Sequence, residues 1–225
     1  MRNEQDVPRV AVIGAGIGGL CAAIRLAVAG MSVTLVEAQE QPGGKMRTVP
    51  SAAGPVDAGP TVLTLRQVFD DLFQAAGERL DDHVTLISQP ILARHWWMDG
   101  SRLDLFSDPE ASAAAICTFA GRKAEDEFVR FNRLTSRMYN AFEAPMMCAA
   151  QPNKPGILLN VLRNPVVWRS LLPHQTLASQ MTQSFTDPRL RQLFGRFATY
   201  VGGMPHLSPA VLALIWQAEA RGVWA

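Results

Sequence analysis

The feature that most constrains the fold is a cluster of glycines between an apolar run and an amphipathic segment. The run Arg9–Ile13 is rich in β-branched residues and predicts a strand buried on both faces. After the glycines, apolar residues mix with alanine over Ile17–Ala29, which predicts a helix that ends at Gly30. A second apolar run, Ser32–Val36, predicts a second buried strand. Strand, glycine turn, helix and strand in this order make a βαβ unit.

The spacing of the glycines is that of a loop that binds a dinucleotide. Gly14, Gly16 and Gly19 occupy the three glycine positions of G-x-G-x-x-G. The first permits a tight strand-to-helix turn, the second lets a pyrophosphate approach the backbone, and the third allows close helix–strand packing. A diphosphate is favoured at the helix N-terminus by unpaired N–H groups and by the helix dipole. The predicted loop consists of Gly14, Ala15, Gly16, Ile17, Gly18 and Gly19.

An acidic residue closes the predicted βαβ unit. Glu37 follows the second strand, eighteen residues after Gly19, where a carboxylate can accept hydrogen bonds from ribose hydroxyls. An acid at this position favours an unphosphorylated ribose, and therefore FAD or NAD rather than NADP. We include the next residue, Ala38, in the predicted site. Glycines often serve only as turn and cap residues, but here the strands, the helix and the acid all agree with dinucleotide binding.

A second glycine pair, Gly43 and Gly44, precedes a base, Lys45. Two glycines and a cation in a neighbouring loop can bring backbone and positive charge to the same diphosphate. An ordinary Pro-Gly turn with a solvated lysine explains these residues equally well. The residues alone leave both interpretations open.

Downstream, the pattern predicts a hairpin and then a mostly helical chain. Thr64 is a predicted N-cap, Asp108 caps a helix that begins at Pro109, and Asp99-Gly100 predicts a hairpin turn. The remaining predictions are helices over Thr64–Ala76 and Ala124–Phe142, strands over His83–Ile91, Arg94–Met98 and Arg102–Phe106, and helix breaks at Pro165, Pro173 and Pro188. We therefore predict an α/β fold, with a Rossmann-like βαβ unit followed by a mostly helical portion.

Composition and charge argue against several classes of protein. The net charge is +1, with acids and bases interspersed, which is not the electrostatic pattern of a nucleic-acid-binding protein. The cysteines form no C-x-x-C pair and the histidines have no ligand spacing, so we expect neither a metal site nor a disulfide framework. The apolar stretch Phe197–Ala218 is interrupted by glycines and prolines, so we predict no transmembrane segment.

The segment Ile157–Leu172 mixes apolar residues with bases. Arg163 and Arg169 lie near Trp168 among aliphatic residues, a composition that suits a membrane interface. Pro165 interrupts the helical pattern, and a buried core or the wall of a substrate tunnel explains the same composition. Both interpretations stay open.

Three segments of the front part resemble the phytoene desaturase branch of the flavin amine-oxidase superfamily. They are Val10–Leu20, Val36–Lys45 and Asp57–Thr61. In that family the first motif and its acid bind the ADP half of FAD, the Gly-Gly-Arg/Lys loop lies along the cofactor, and Asp-x-Gly-Pro-Thr lies near the flavin. The resemblance implies FAD as the cofactor and adds Gly59, Pro60 and Thr61 to the predicted site. Lys45 stands where many members have arginine, which keeps the charge but loses the bidentate fork.

Two later segments, Phe194–Pro205 and Leu207–Trp216, resemble bacterial carotenoid desaturases that act on hydroxylated or methoxylated neurosporene. The resemblance implies FAD-dependent desaturation of an acyclic, lipid-soluble carotenoid by hydride transfer to the flavin. It also implies a role in photosynthetic pigment synthesis, in the cytoplasm or at the surface of the inner membrane. Such proteins are considerably longer, so we expect this chain to be an N-terminal fragment of one.

On this basis we expect residues 1–108 to form an incomplete FAD-binding portion. Residues 109–225 would form an incomplete portion associated with the substrate or the membrane. We assign no catalytic side chain. Two alternatives stay open: a flavin oxidase of an amine, a porphyrinogen or a retinoid, and a truncated chain without catalytic activity.

Overall fold

The computed structural model describes residues 7–147, 149, 151, 153–163, 165–170, 172 and 175–225. Cys148, His174 and the helix break expected at Pro173 lie outside the described residues. The chain divides into two compact units, the first running to Ser88 with the addition of Trp224 and Ala225, and the second comprising Gln89–Val223. The predicted hairpin therefore falls in the second unit, whereas the sequence-based boundary was drawn at residue 108. The roles assigned to the two portions stay predictions.

The first unit contains the predicted βαβ arrangement. Strand β1 (Arg9–Ile13), helix α1 (Ile17–Val28) and strand β2 (Ser32–Val36) have nearly the predicted bounds. The strands pair in parallel, in register from Arg9 opposite Ser32 to Ile13 opposite Val36. Gly30 follows the helix with a φ of +82°, as predicted for its C-terminal cap. The unit continues with β3 (Thr48–Val49), β4 (Val56–Asp57), α2 (Arg66–Ala75) and a 3₁₀ turn (Leu80–Asp82).

The prediction that the first strand is buried on both faces, and the second strand also buried, is wrong. The side chain of Ile13 is 88% exposed and that of Val36 is 50% exposed. Burial on both faces requires layers packed on both sides of a sheet, and among the described residues β1 and β2 form only a two-stranded sheet. The buried apolar residues in the described part of this unit are Ala15, Leu72 and Leu80.

Two further predictions for the first unit need correction. Thr64 does not cap α2, because the helix begins only at Arg66 and its N-cap is Leu65, which adopts a left-handed conformation with a φ of +55°. His83–Ile91 does not form the predicted strand, because its first residues close a 3₁₀ turn through a bond from His83 N–H to the carbonyl of Leu80. Regular pairing begins only at Ile91.

The second unit begins with the predicted hairpin. Strands β5 (Ile91–Trp96) and β6 (Arg102–Phe106) are antiparallel. Asp108 caps the next helix as predicted, because its Oδ1 accepts from Glu110 N–H at 2.9 Å. The helices are α3 (Pro109–Ala120), α4 (Arg122–Phe142), α5 (Lys154–Leu162), α6 (Pro165–Ser170), α7 (Leu177–Ser184), α8 (Pro188–Gly195) and α9 (Ile215–Ala220), with a π-helical turn (Glu143–Met147) and 3₁₀ turns (Arg196–Val201 and Ala210–Leu214).

An aromatic cluster forms the core of the second unit. The ring of Phe194 on α8 lies at the centre, stacked on Phe185 with centroids 5.0 Å apart and edge-on to Trp216 at 5.6 Å. Phe128, Phe131 and Phe197 complete the cluster. All six rings are buried, so this unit has a substantial apolar core of its own. Within the described residues, no helix has both the length and the apolar character needed to cross a bilayer.

Candidate functional site

The turn from β1 into α1 depends on residues without side chains. Gly14 has a φ of +95°, a conformation that side chains strongly disfavour. A Cβ atom on Gly19 would lie 1.8 Å from the carbonyl oxygen of Gly14. By contrast, a Cβ atom on Gly18 would meet nothing within 4 Å. Gly14 and Gly19 are therefore sterically required for this turn, whereas Gly18 is not.

The N-terminus of α1 is suited to hold an anion. Its N-cap is Gly16, which has no side chain to accept from the first-turn amides, and no acidic residue lies in that turn. The first N–H groups of the helix therefore keep their capacity to bind a negatively charged group. Ile17 and Gly18, in the first turn, are both exposed.

Glu37 is fixed at the end of β2 by backbone donors. Its Oε2 accepts from Ala15 N–H at 2.5 Å, and its Oε1 accepts from Gln39 N–H at 2.9 Å. The pKa of the Glu37 carboxyl is lowered by these backbone donors. The bond from Ala15 has the largest effect, followed by that from Gln39, and Ala38 makes a smaller contribution. The carboxylate is therefore ionised at neutral pH, and each oxygen has a further lone pair for a ribose hydroxyl. The bond to Ala15 joins two parts of the predicted site directly.

The second glycine loop packs against the first. Gly43 N–H donates to the carbonyl of Ala15 at 2.8 Å, and Gly43 has a φ of +119°. A Cβ atom on Gly44 would lie 3.1 Å from the Cα of Gly16, so a side chain there would push the loops apart. Lys45 is exposed.

The third predicted segment, Asp57–Thr61, packs against the second glycine loop. Ala58 N–H donates to the carbonyl of Arg47 at 2.8 Å, and a Cβ atom on Gly59 would lie 1.8 Å from the carbonyl oxygen of Lys45. Pro60 and Thr61 follow at the surface. The structure therefore brings together all three segments that the sequence singled out.

An apolar cavity of about 390 Å³ adjoins these loops. Its wall includes Ile17 from α1, Met46 from the second loop, and Pro60 and Thr61 from the third segment. The cavity is further lined by Val62, Leu63, Thr64, Phe69, Leu86, Trp224 and Ala225. Trp224 was not among the predicted site residues, and the one signal for it in the sequence is an apolar, tryptophan-bearing segment near the last residues of the chain.

The combined features fit a dinucleotide. A diphosphate requires a loop free of side chains and an uncapped helix N-terminus, which Gly14–Gly19 and α1 provide. A ribose requires an acceptor such as Glu37, and a flat apolar ring requires a cavity such as the one beside Ile17. In the described part of the chain, no group of three or more His, Cys, Asp or Glu side chains is placed to hold a metal ion. The fold is α/β, and the chemistry of these residues is of the kind that a nucleotide cofactor requires.

Comparison with known families identifies the family to which this chain belongs. The model of the flavin containing amine oxidoreductases matches residues 17–221. The chain belongs to this family, and a flavin is the cofactor of its members.

Two curated relatives are hydroxyneurosporene desaturases. The one from Cereibacter sphaeroides is 60% identical over 222 residues, which are 99% of this chain and 45% of that protein. The one from Rhodobacter capsulatus is 53% identical over 225 residues, which are 100% of this chain and 45% of that protein. The chain therefore spans less than half the length of these relatives, as expected for part of a longer flavoprotein.

A solved structure supports the fold. Cyclohexylamine oxidase from Brevibacterium oxydans superposes with a TM-score of 0.54 at 20% sequence identity, over 97% of this chain and 46% of that chain. This likeness confirms the predicted α/β architecture.

Proposed function

We propose that this chain forms the FAD-binding front part of a carotenoid desaturase. The observation that carries the proposal is the contact of three predicted segments around one loop, in a chain 60% identical to a hydroxyneurosporene desaturase. The proposed substrate is an acyclic carotenoid of the hydroxy- or methoxyneurosporene type. We propose that residues 1–108 bind the cofactor, and that residues 109–225 contribute to substrate or membrane binding.

FAD is proposed over other flavins because the site extends on both sides of the diphosphate loop. Glu37 and the backbone at Ala38 lie on one side, where they suit the ribose of an adenosine. The apolar cavity lies beside Ile17, where it suits a flat ring. FMN lacks the adenosine and would leave the first of these features unused.

Each predicted residue has a proposed task in holding the cofactor. Gly14–Gly19 and the first turn of α1 bind the diphosphate, while Glu37 orients the ribose. Gly43 and Gly44 bring a second stretch of backbone to the same place, and Lys45 supplies a positive charge. Gly59 allows the third segment to pack against the carbonyl of Lys45, while Pro60 and Thr61 border the cavity and exclude water from it.

When bound, the flavin supplies a two-electron acceptor, so that one hydrogen leaves the substrate as a hydride, the neighbouring hydrogen leaves as a proton, and a C=C bond forms. The task of the protein is to hold an apolar chain in place and to keep water away from it. We assign no side chain as the proton acceptor.

We further propose peripheral attachment to a membrane through α5 and α6. Leu158, Leu159 and Leu162 on α5 are 48–61% exposed, and Trp168 on α6 is 57% exposed. Val161 is buried on the other side of α5, so the exposed leucines form an outward-facing apolar strip. Such a strip next to the exposed base Arg163 suits the interface of an anionic bilayer, from which a carotenoid must be drawn.

The cofactor proposal is tested by a matched pair of glycine variants. Gly19→Ala should raise the Kd for FAD about tenfold or more, because its methyl group cannot coexist with the turn at Gly14. Gly195→Ala is the matched control and should leave the Kd within about twofold, because its methyl group would make only ordinary contacts with Pro205, in the second unit. Calorimetric titration of both purified variants measures the difference. Equal affinities would contradict the proposed role of the loop.

The substrate proposal is tested by the product. Anaerobic incubation of the flavin-loaded protein with a hydroxylated neurosporene should lengthen the conjugated system and shift its absorption to the red. The flavin absorption near its long-wavelength maximum should bleach in parallel, because it takes up the electrons. Bleaching by an amine, without any change in the carotenoid, would contradict the proposal and favour an amine oxidase.

The membrane proposal is tested by flotation with anionic lipid vesicles. Leu158→Glu and Leu162→Glu should each lower the fraction of vesicle-bound protein, by about tenfold in partition coefficient, because a buried leucine contributes roughly 1.5–3 kcal/mol. Leu207→Glu is the control, since Leu207 is 75% exposed but lies outside the strip. An equal effect of all three variants would argue against a specific docking face.

A further inference from the structure

Trp224 is incorporated into the first unit by backbone pairing. Trp224 N–H donates to the carbonyl of Leu63 at 2.9 Å, and Leu63 N–H donates to the carbonyl of Trp224 at 2.8 Å. The next residue, Ala225, exchanges the same pair of bonds with Ile87, at 2.8 and 3.0 Å. The segment is thus held from both sides as a short antiparallel strand. Its backbone position depends on these bonds and not on the indole.

Trp224 is one of the residues that line the apolar cavity beside the glycine loops. The residue is half-buried, and it shares the wall with Met46, Thr61 and Phe69. A tryptophan offers the largest flat apolar surface of any side chain, and rings that pack against it prefer offset or edge-on arrangements. The cavity therefore has one wall suited to a flat aromatic ligand.

The position of the cavity determines which part of a dinucleotide can enter it. Ile17 belongs both to the cavity wall and to the first turn of α1, which is the proposed diphosphate site. Glu37 bonds to Ala15 N–H on the other part of the same loop and suits the adenosine ribose. In FAD the diphosphate separates adenosine from the flavin. A molecule with its ribose at Glu37 therefore directs its flavin ring to the cavity.

We infer that Trp224 is a positioning residue for the flavin ring of the bound cofactor. The inference rests on the proposed function, and it adds a contact that comes from a part of the chain far from the three predicted segments. The indole packs against the ring, fixes its plane and shields it from water. The effect of Trp224 is therefore on the ring half of FAD and not on its ADP half.

The test compares FAD with ADP, which lacks the ring. Trp224→Ala should raise the Kd for FAD about three- to tenfold, as expected for a lost aromatic contact. The Kd for ADP should stay within about twofold, since ADP does not reach the cavity. Trp96→Ala is the matched control, because Trp96 is 66% exposed on β5 in the second unit. It should leave the affinities for both ligands unchanged.

Flavin fluorescence gives a second readout that a purely structural role would not change. An indole in contact with a flavin quenches its emission by electron transfer, whereas a benzene ring does so far less. Trp224→Phe should therefore keep most of the affinity while making bound FAD several-fold brighter. This variant also serves if Trp224→Ala fails to fold.

The outcomes separate the inference from the proposed function. Unchanged FAD affinity and unchanged flavin emission in the Trp224 variants would overturn the inference and leave the proposed function intact. Equal losses for FAD and ADP would also overturn it, because they would indicate damage to the whole unit. A wild-type chain that binds neither ligand would contradict the proposed function and the inference with it.

Discussion

The candidate site depends on close contacts between the backbones of glycine residues. The carbonyl of Gly14 faces the Cα of Gly19 so closely that a methyl group at Gly19 would overlap it. This turn fixes where α1 begins and leaves its first amides without a capping side chain. Gly44 approaches Gly16 in the same way, and a side chain on Gly44 would crowd the Cα of Gly16. These close contacts determine where the anion site, the second loop and the cavity wall lie.

The two units are stabilised in different ways. The second unit has an aromatic core around Phe194, in which buried apolar area is the main source of stability. The first unit has few buried apolar residues in its described part, and its loops are joined mainly by backbone hydrogen bonds and by the carboxylate of Glu37. A ligand bound at these loops would add contacts where the unit has few of its own, and would stabilise it by mass action.

Short-range signals in the sequence predicted most of the helices, strands and turns. Features that depend on contacts between remote residues could not be predicted in this way. The βαβ bounds, the Asp99-Gly100 turn and the Asp108 cap depend on neighbouring residues, so the sequence contained the information for them. The burial of β1 depends on which layers pack on its two faces, and an apolar run cannot reveal that. Trp224 was missed for the same reason, because its partner Leu63 is remote in sequence. The convergence of the three segments was predicted by resemblance, and their mutual contacts give it a physical basis.

The most direct test of the proposed cofactor site is the identity and amount of the flavin that the purified chain retains. Denaturation followed by chromatography and fluorescence detection distinguishes FAD from FMN and riboflavin. The expected result is one FAD per chain, because Glu37, the glycine loops and the cavity each serve a different part of that molecule. A chain that retains no flavin after reconstitution with excess FAD, or that takes up FMN equally well, would contradict it.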